Sequence, residues 1–169
     1  MIPRWSLRTP RLVLTPVSGA DLADLVAIKA DPRVFAVMHG GVRTPARTQE
    51  ELAEEVLAWG ANGFGIWTIR EASNHRFAGI TGLEPRPDGR GVALRFALWP
   101  DGQGRGLARE AAGAALRFGH EEAGLSRIIA VARESNFASR IVLGSIGMLE
   151  SARFVQLGWP MVEYASVRS

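Results

Sequence analysis

The chain is 169 residues long, with 47% apolar and 22% charged residues, a balance that fits one globular domain spanning residues 1–169 and excludes a disordered chain. Its pI of about 10.5 invites a nucleic-acid reading, but the formal charge is only +3. With no cysteine and one tyrosine, few groups titrate between neutrality and the arginine pKa, so the pI exaggerates the basicity.

The arginines are spread along the chain without a dense block, so no nucleic-acid partner is expected. No apolar run reaches membrane-spanning length, and Arg4 and Arg8 flank Trp5 without the apolar core of a signal peptide. The expectation is a cytoplasmic protein, a monomer or homodimer, with no membrane partner. The absence of cysteine excludes a disulfide framework, a thiolate metal site and a cysteinyl acyl-enzyme. His39, His75 and His120 lack metal-ligand spacing, so no metal is expected.

In chain order, Arg11 to Pro16 alternates around Leu12 and Leu14 as a first strand. Ser18 and Asp21 then box the start of a helix ending before Pro32. After a Gly- and Arg-containing loop, Thr48 and Glu51 have capping-box spacing for a second helix reaching about Gly60. Phe64 to Arg70 and Phe77 to Leu83 read as a hairpin turning at 72–75.

Strand 92–98, helix 105–119 and strand 127–132 form a crossover unit, which demands parallel strands. A helix from Asn136 to Ile146 stops at Gly147, and strands near 152–157 and 161–167 turn at Gly158. The fold class is α/β: a mixed sheet, antiparallel early and parallel in the middle, with helices on both faces.

Between the crossover strand and its helix stands Trp99-Pro100-Asp101-Gly102-Gln103-Gly104-Arg105-Gly106-Leu107-Ala108. Glycines there open turn conformations closed to other residues, and a helix start presents unpaired N–H groups to an anion. Arg105 and Arg109 oppose the helix dipole unless a polyanion binds beside them. The alternative is a plain strand-to-helix turn with two solvated arginines. The loop is neither a Walker A loop nor a Rossmann fingerprint.

The run Gln103-x-x-Gly106-x-Ala108 resembles the Gln/Arg-x-x-Gly-x-Gly/Ala signature of the GCN5-related N-acetyltransferases (GNAT). Leu98-x-Pro100, Gly104 to Ala108 and Glu110-Ala111 look like the branch holding the ribosomal-protein N-terminal acetylases, as does the opening Leu7 to Leu12. The resemblance implies the GNAT fold, acetyl-coenzyme A as co-substrate and an amine acceptor attacked directly. Backbone N–H groups of Gln103, Gly104, Arg105, Gly106, Leu107 and Ala108 would hold the pyrophosphate, with Arg109 beside them. Phe96, Ala97 and Leu98 would pair with the pantetheine arm in a gap opened against strand 127–132, and the Leu98 N–H would serve the oxyanion.

The same resemblance places Asn136 on the pantetheine arm, although an N-cap is the plain alternative and both roles can coexist. Where many relatives carry a tyrosine that protonates the thiolate, this chain has Leu143. Ser139 is the nearest replacement, unless it only caps backbone groups. Ala93 stands where an acidic residue is common in the branch, and Arg95 where a glycine is. That leaves Glu84, as a water relay or a solvated carboxylate, and His39 in the early loop as candidate bases. A non-catalytic acyl-coenzyme A sensor is the alternative function. Trp59 and Trp67 read as packing residues, while Trp99 and Trp159 stand at the margin of the site.

Overall fold

The computed structural model describes residues 4–102 and 104–168, so Gln103 lies outside the described residues. Eight strands form one sheet: β1 (Leu7–Arg8), β2 (Leu12–Pro16), β3 (Ile66–Glu71), β4 (Phe77–Pro85), β5 (Val92–Leu98), β6 (Arg127–Arg133), β7 (Leu149–Gln156) and β8 (Trp159–Val167). Their order is β1-β2-β3-β4-β5-β6-β8-β7, with the last strand inserted beside β6. Every neighbouring pair is antiparallel except β5 and β6, as the crossover demands.

Helices cover both faces. On one lie α1 (Leu22–Ala30), the single turn α2 (Pro32–Phe35) and α3 (Pro45–Asn62); Leu25, Ile28, Phe35 and Leu52 meet Ile66, Ile80 and Ala97 of the sheet. On the other, α4 (Leu107–Glu121) and α5 (Phe137–Ser145) pack on Leu94, Leu98, Ile128 and Ala130. The α4 core face is Ala111, Ala112, Ala114 and Ala115, small enough to bring the helix close to the sheet. At Gly119 a Cβ would stand 2.6 Å from the Ile128 Cδ1, so only glycine fits that contact without displacement. Trp59 and Trp67 pack edge-on, with ring centroids 4.8 Å apart, and both are buried, as their packing role predicts.

Three departures from the expected elements have clear local causes. The start of α3 is capped by Thr44, whose Oγ1 accepts from the Arg47 N–H at 3.1 Å, and not by Thr48. Pro45 explains the earlier start, because its fixed φ suits the first helical position and it has no N–H to satisfy. Thr48 is instead fully buried, with a hydroxyl that has no partner among the described residues. At α4 the helix begins at Leu107, because Gly104 (φ 80°) and Gly106 (φ 75°) hold the preceding turn in the left-handed region. The third is α2, one turn started by Asp31 and Pro32, too short for a periodic signal.

Candidate active site

Strands β5 and β6 are joined at a single ladder pair, Ala93 with Ile129, and diverge beyond it. Along β4 and β5 the antiparallel pairs alternate between hydrogen-bonded and non-bonded. The Trp99 N–H donates to the Ala78 carbonyl at 2.9 Å, which fixes the phase. Counting back in twos, Ala97 and Arg95 turn their peptide groups toward β4, whereas Leu98, Phe96 and Leu94 turn theirs toward β6. Leu94 meets β6 at the bridge; Phe96 and Leu98 face the gap. Ala97 therefore departs from its expected role: it offers the gap no backbone donor, and its methyl is buried under α1–α3. The strand edge left open at Phe96 and Leu98 needs a partner, and an extended ligand with amide groups supplies one.

At the wide end of the gap lies the turn into α4. Two side chains from the start of the chain, Thr9 and Arg11, staple it in place. Arg11 donates through Nε to Glu110 Oε1 at 2.8 Å and through Nη1 to the Arg105 carbonyl at 2.6 Å, and Thr9 also hydrogen-bonds Glu110. Burial works against the Glu110 charge, but the Thr9 and Arg11 hydrogen bonds outweigh it and hold the carboxyl below its ordinary pKa. No local pattern marks Thr9 or Arg11 for this role, because their partners are about a hundred residues away in the chain.

Arg105 has a protein partner of its own. Its Nη2 donates to Glu71 Oε1 at 2.6 Å, which ties the guanidinium to β3. Arg109 is exposed and forms no ion pair among the described residues. The Leu107 side chain is core, leaving only its backbone for a ligand, and Ala108 sits in the first helical turn.

On the far side of the gap, the Asn136 Oδ1 caps α5 by accepting from the Ser139 N–H at 3.3 Å, and its amide N–H₂ end is left for a ligand. Asn136, Ser139 and the buried Leu143 all line a cleft of about 1390 Å³ that runs from the gap to the opposite layer. The only tyrosine, Tyr164, accepts from Arg140 Nε at 2.9 Å on β8 and does not line this cleft.

The opposite wall is formed by the loop from Ala36 to Thr44, by α3, and by the ends of β4 and β5. Glu84 lines it, ion-paired with Arg95 of β5, which answers for its charge. Arg43 pairs with Glu51, and Arg86 with Asp88. Arg133 of β6 stacks on Trp159, 3.9 Å from the ring centroid, and so Trp159 lines the site, whereas Trp99 does not. His39 is exposed at the rim. His120 is structural, its ring nitrogens at 2.7 Å from the Leu125 carbonyl and 2.9 Å from Ser166 Oγ.

The cleft is also backed by buried charges that no motif marks. Lys29 of α1, 2% exposed, donates to Glu51 at 3.3 Å and to Glu55 at 3.2 Å. Burial pushes the Glu55 carboxyl above the ordinary glutamate range although Lys29 and Arg95 pull the other way. For Glu51, burial raises but Lys29 and Arg43 outweigh it, and its pKa falls. The sequence signal was present in the spacing of Glu51 and Glu55, one helical turn apart opposite the chain's only lysine.

A parallel pair splayed beside a helix start in left-handed glycines offers an extended, phosphate-bearing ligand both a strand edge and an anion cradle. The family model for the acetyltransferase (GNAT) domain matches residues 11–149, and the chain belongs to that family. It is 27% identical to an FsC-acetyl coenzyme A-N(2)-transacetylase of Aspergillus fumigatus over 163 residues, covering 88% of this chain and 67% of that one. Its structure superposes on an acetyltransferase of Agrobacterium tumefaciens with a TM-score of 0.85 at 25% identity, covering 99% of this chain and 96% of the other. The fold is also that of a spermidine N-acetyltransferase of Vibrio cholerae solved with CoA and spermine, with a TM-score of 0.79 at 15% identity over 94% of this chain and 96% of that one. The protein is an acetyl-coenzyme A-dependent N-acetyltransferase.

Two of the remaining expectations meet only part of the structure. No described helix is long and apolar enough to cross a membrane. Among the described residues no group of three or more His, Cys, Asp or Glu side chains is placed to hold a metal.

Proposed function

We propose that the chain acetylates a primary amine, on a small molecule or a protein N-terminus, by direct attack on the acetyl thioester within one domain spanning residues 1–169. The observation that carries this reading is the strand edge at Phe96 and Leu98, unpaired among the described residues, with Phe96 lining a cleft that continues to a charge-lined end under α3. One end suits an extended co-substrate and the other an acceptor. The relatives named above, one an N(2)-transacetylase and one solved with spermine, support an amine as acceptor.

The residue roles follow from position. Backbone N–H groups from Gly104 to Ala108, with Gln103 expected beside them, hold the pyrophosphate, and Arg109 adds charge. Phe96 and Asn136 hold the pantetheine arm from opposite sides of the gap. The Leu98 N–H, fixed in the strand, donates to the oxyanion as the carbonyl is attacked, and such preorganised donors supply about 3 kcal/mol each. Ser139 presents a hydroxyl to the departing sulfur. Glu84 and Arg95 orient the acceptor end.

A thiol-release screen with acetyl-coenzyme A and a panel of alkyl amines, amino acids and short peptides tests the reading. Acetyl-dependent thiol release with one class of amine is expected. Release that no amine accelerates above the enzyme-free rate would refute it.

A further inference from the structure

We infer that Glu55 of α3 takes the proton from the acceptor's ammonium group, an inference that rests on reading the cleft as a site of amine acetylation. At neutral pH a primary amine arrives protonated and cannot attack until it loses that proton. The group that accepts it must reach the cleft, must be ionised when the amine binds, and must tolerate being neutral afterwards.

Glu55 meets all three demands. Its residue is 8% exposed, yet it lines the cleft. Only Oε1 is hydrogen-bonded, to Lys29; Oε2 makes no hydrogen bond among the described residues and is not among the atoms sealed from solvent without a partner. That oxygen is the available lone-pair site. Ionised Glu55 is supported by Lys29 from α1 and by Arg95 from β5, and is opposed by Glu84 from β4. When Glu55 becomes neutral, Lys29 keeps a counter-ion, because its Nζ also donates to Glu51, which Arg43 of the roof loop holds in place. The cluster thus accommodates both protonation states of one of its carboxylates. Burial raises the affinity of Glu55 for a proton, which favours the transfer and matches the base more closely to neutral pH. Glu84, tied to Arg95, has its charge already answered.

The step balances. The ammonium N–H bond breaks, leaving its electron pair on nitrogen and its proton on Glu55. That pair forms the N–C bond to the acetyl carbon, and the C–S bond breaks with its pair leaving on sulfur. The second nitrogen proton ends on the thiolate, and Glu55 returns the first to solvent. Products are amide, thiol and one proton.

The test is E55Q, which keeps the side-chain volume and leaves Lys29 bonded to Glu51. Thiol release from acetyl-coenzyme A is followed over a pH series with two nucleophiles, each corrected for the enzyme-free rate. One is the alkyl amine that the wild type acetylates fastest, an ammonium ion at neutral pH; the other is hydroxylamine, uncharged there. We expect kcat/KM for the alkyl amine to fall about 100-fold or more, the acidic limb of its pH profile to change, and the hydroxylamine rate to stay within a few-fold. E55D should recover part of the alkyl amine rate. Melting temperature and coenzyme A affinity close to wild type show that the fold and cofactor site are intact. Equal loss with both nucleophiles would overturn the inference and leave Glu55 a structural partner of Lys29, as would an unchanged alkyl amine rate. A wild type that acetylates neither nucleophile would refute the amine reading itself.

Discussion

Replacing Gly106 with valine tests the cradle through two separate readouts. Gly106 caps α4 at φ 75°, and a Cβ there would stand 3.3 Å from Arg11 Nη2, one of the groups that staple the turn. The left-handed conformation costs an L-residue about 1–2 kcal/mol, and more for a β-branched one. In a chain of this size each kcal/mol moves the melting temperature by roughly 2–4 °C, so the protein without cofactor should melt about 2–8 °C lower. Acetyl-coenzyme A at about 100 times its Kd should stabilise the wild type by roughly 2.7 kcal/mol. If the turn escapes the left-handed region, its N–H groups no longer converge, and that ligand-induced shift should vanish. Thermal melts with and without cofactor give both numbers. A variant with unchanged melting temperature and a full cofactor shift would show that Gly106 neither holds the turn nor lies against the pyrophosphate.

Three further outcomes are expected. Arg109→Gln should weaken cofactor binding more at low salt than at high salt, since an exposed charge acts through a screened field; isothermal titration at two ionic strengths measures this. Asn136→Ala should chiefly raise the apparent cofactor constant, whereas Ser139→Ala should lower turnover by about 100-fold with little change in cofactor binding, read from steady-state kinetics where chemistry limits the rate. Glu163→Gln should destabilise the fold: burial raises the carboxyl's pKa, but Ser151 (2.7 Å), Arg90 (3.2 Å) and Arg127 (3.3 Å) outweigh it and depress it. A depressed carboxylate stabilises above its unfolded pKa and loses that contribution as pH falls through the folded value, so the deficit of about 1–3 kcal/mol at neutral pH should close in acid denaturant titrations.

The crossover was legible because 92–98 is a short apolar run and the glycines from Gly102 to Gly106 mark the turn into the helix that follows it. The observed β5 has those bounds. Asn136 was legible too, since a cap is a local event. What escaped was long-range: Arg11 with Glu110, Arg105 with Glu71, Lys29 with Glu55. Each pair joins segments whose proximity is created by the sheet, and no spacing rule reaches across it. The misplaced cap at Thr48 has a different cause. Thr48-Glu51 and Thr44-Pro45 both carry start signals, and proline's fixed φ decides between them.

The single Ala93–Ile129 pair has a mechanical meaning as well. It is the one strand-to-strand join between a five-stranded half, residues 7–98, and a three-stranded half, residues 127–167, with α4 as the chief bridge across it. A seam this thin lets the C-terminal half open as a unit at less than the global unfolding cost. A ligand lying in the seam pairs with the edge of one half and the α5 cap of the other, and so acts as mortar. Amides of β6 and β8 should then exchange hydrogen faster than those of β3 and β4 without cofactor, and the difference should narrow when acetyl-coenzyme A is bound.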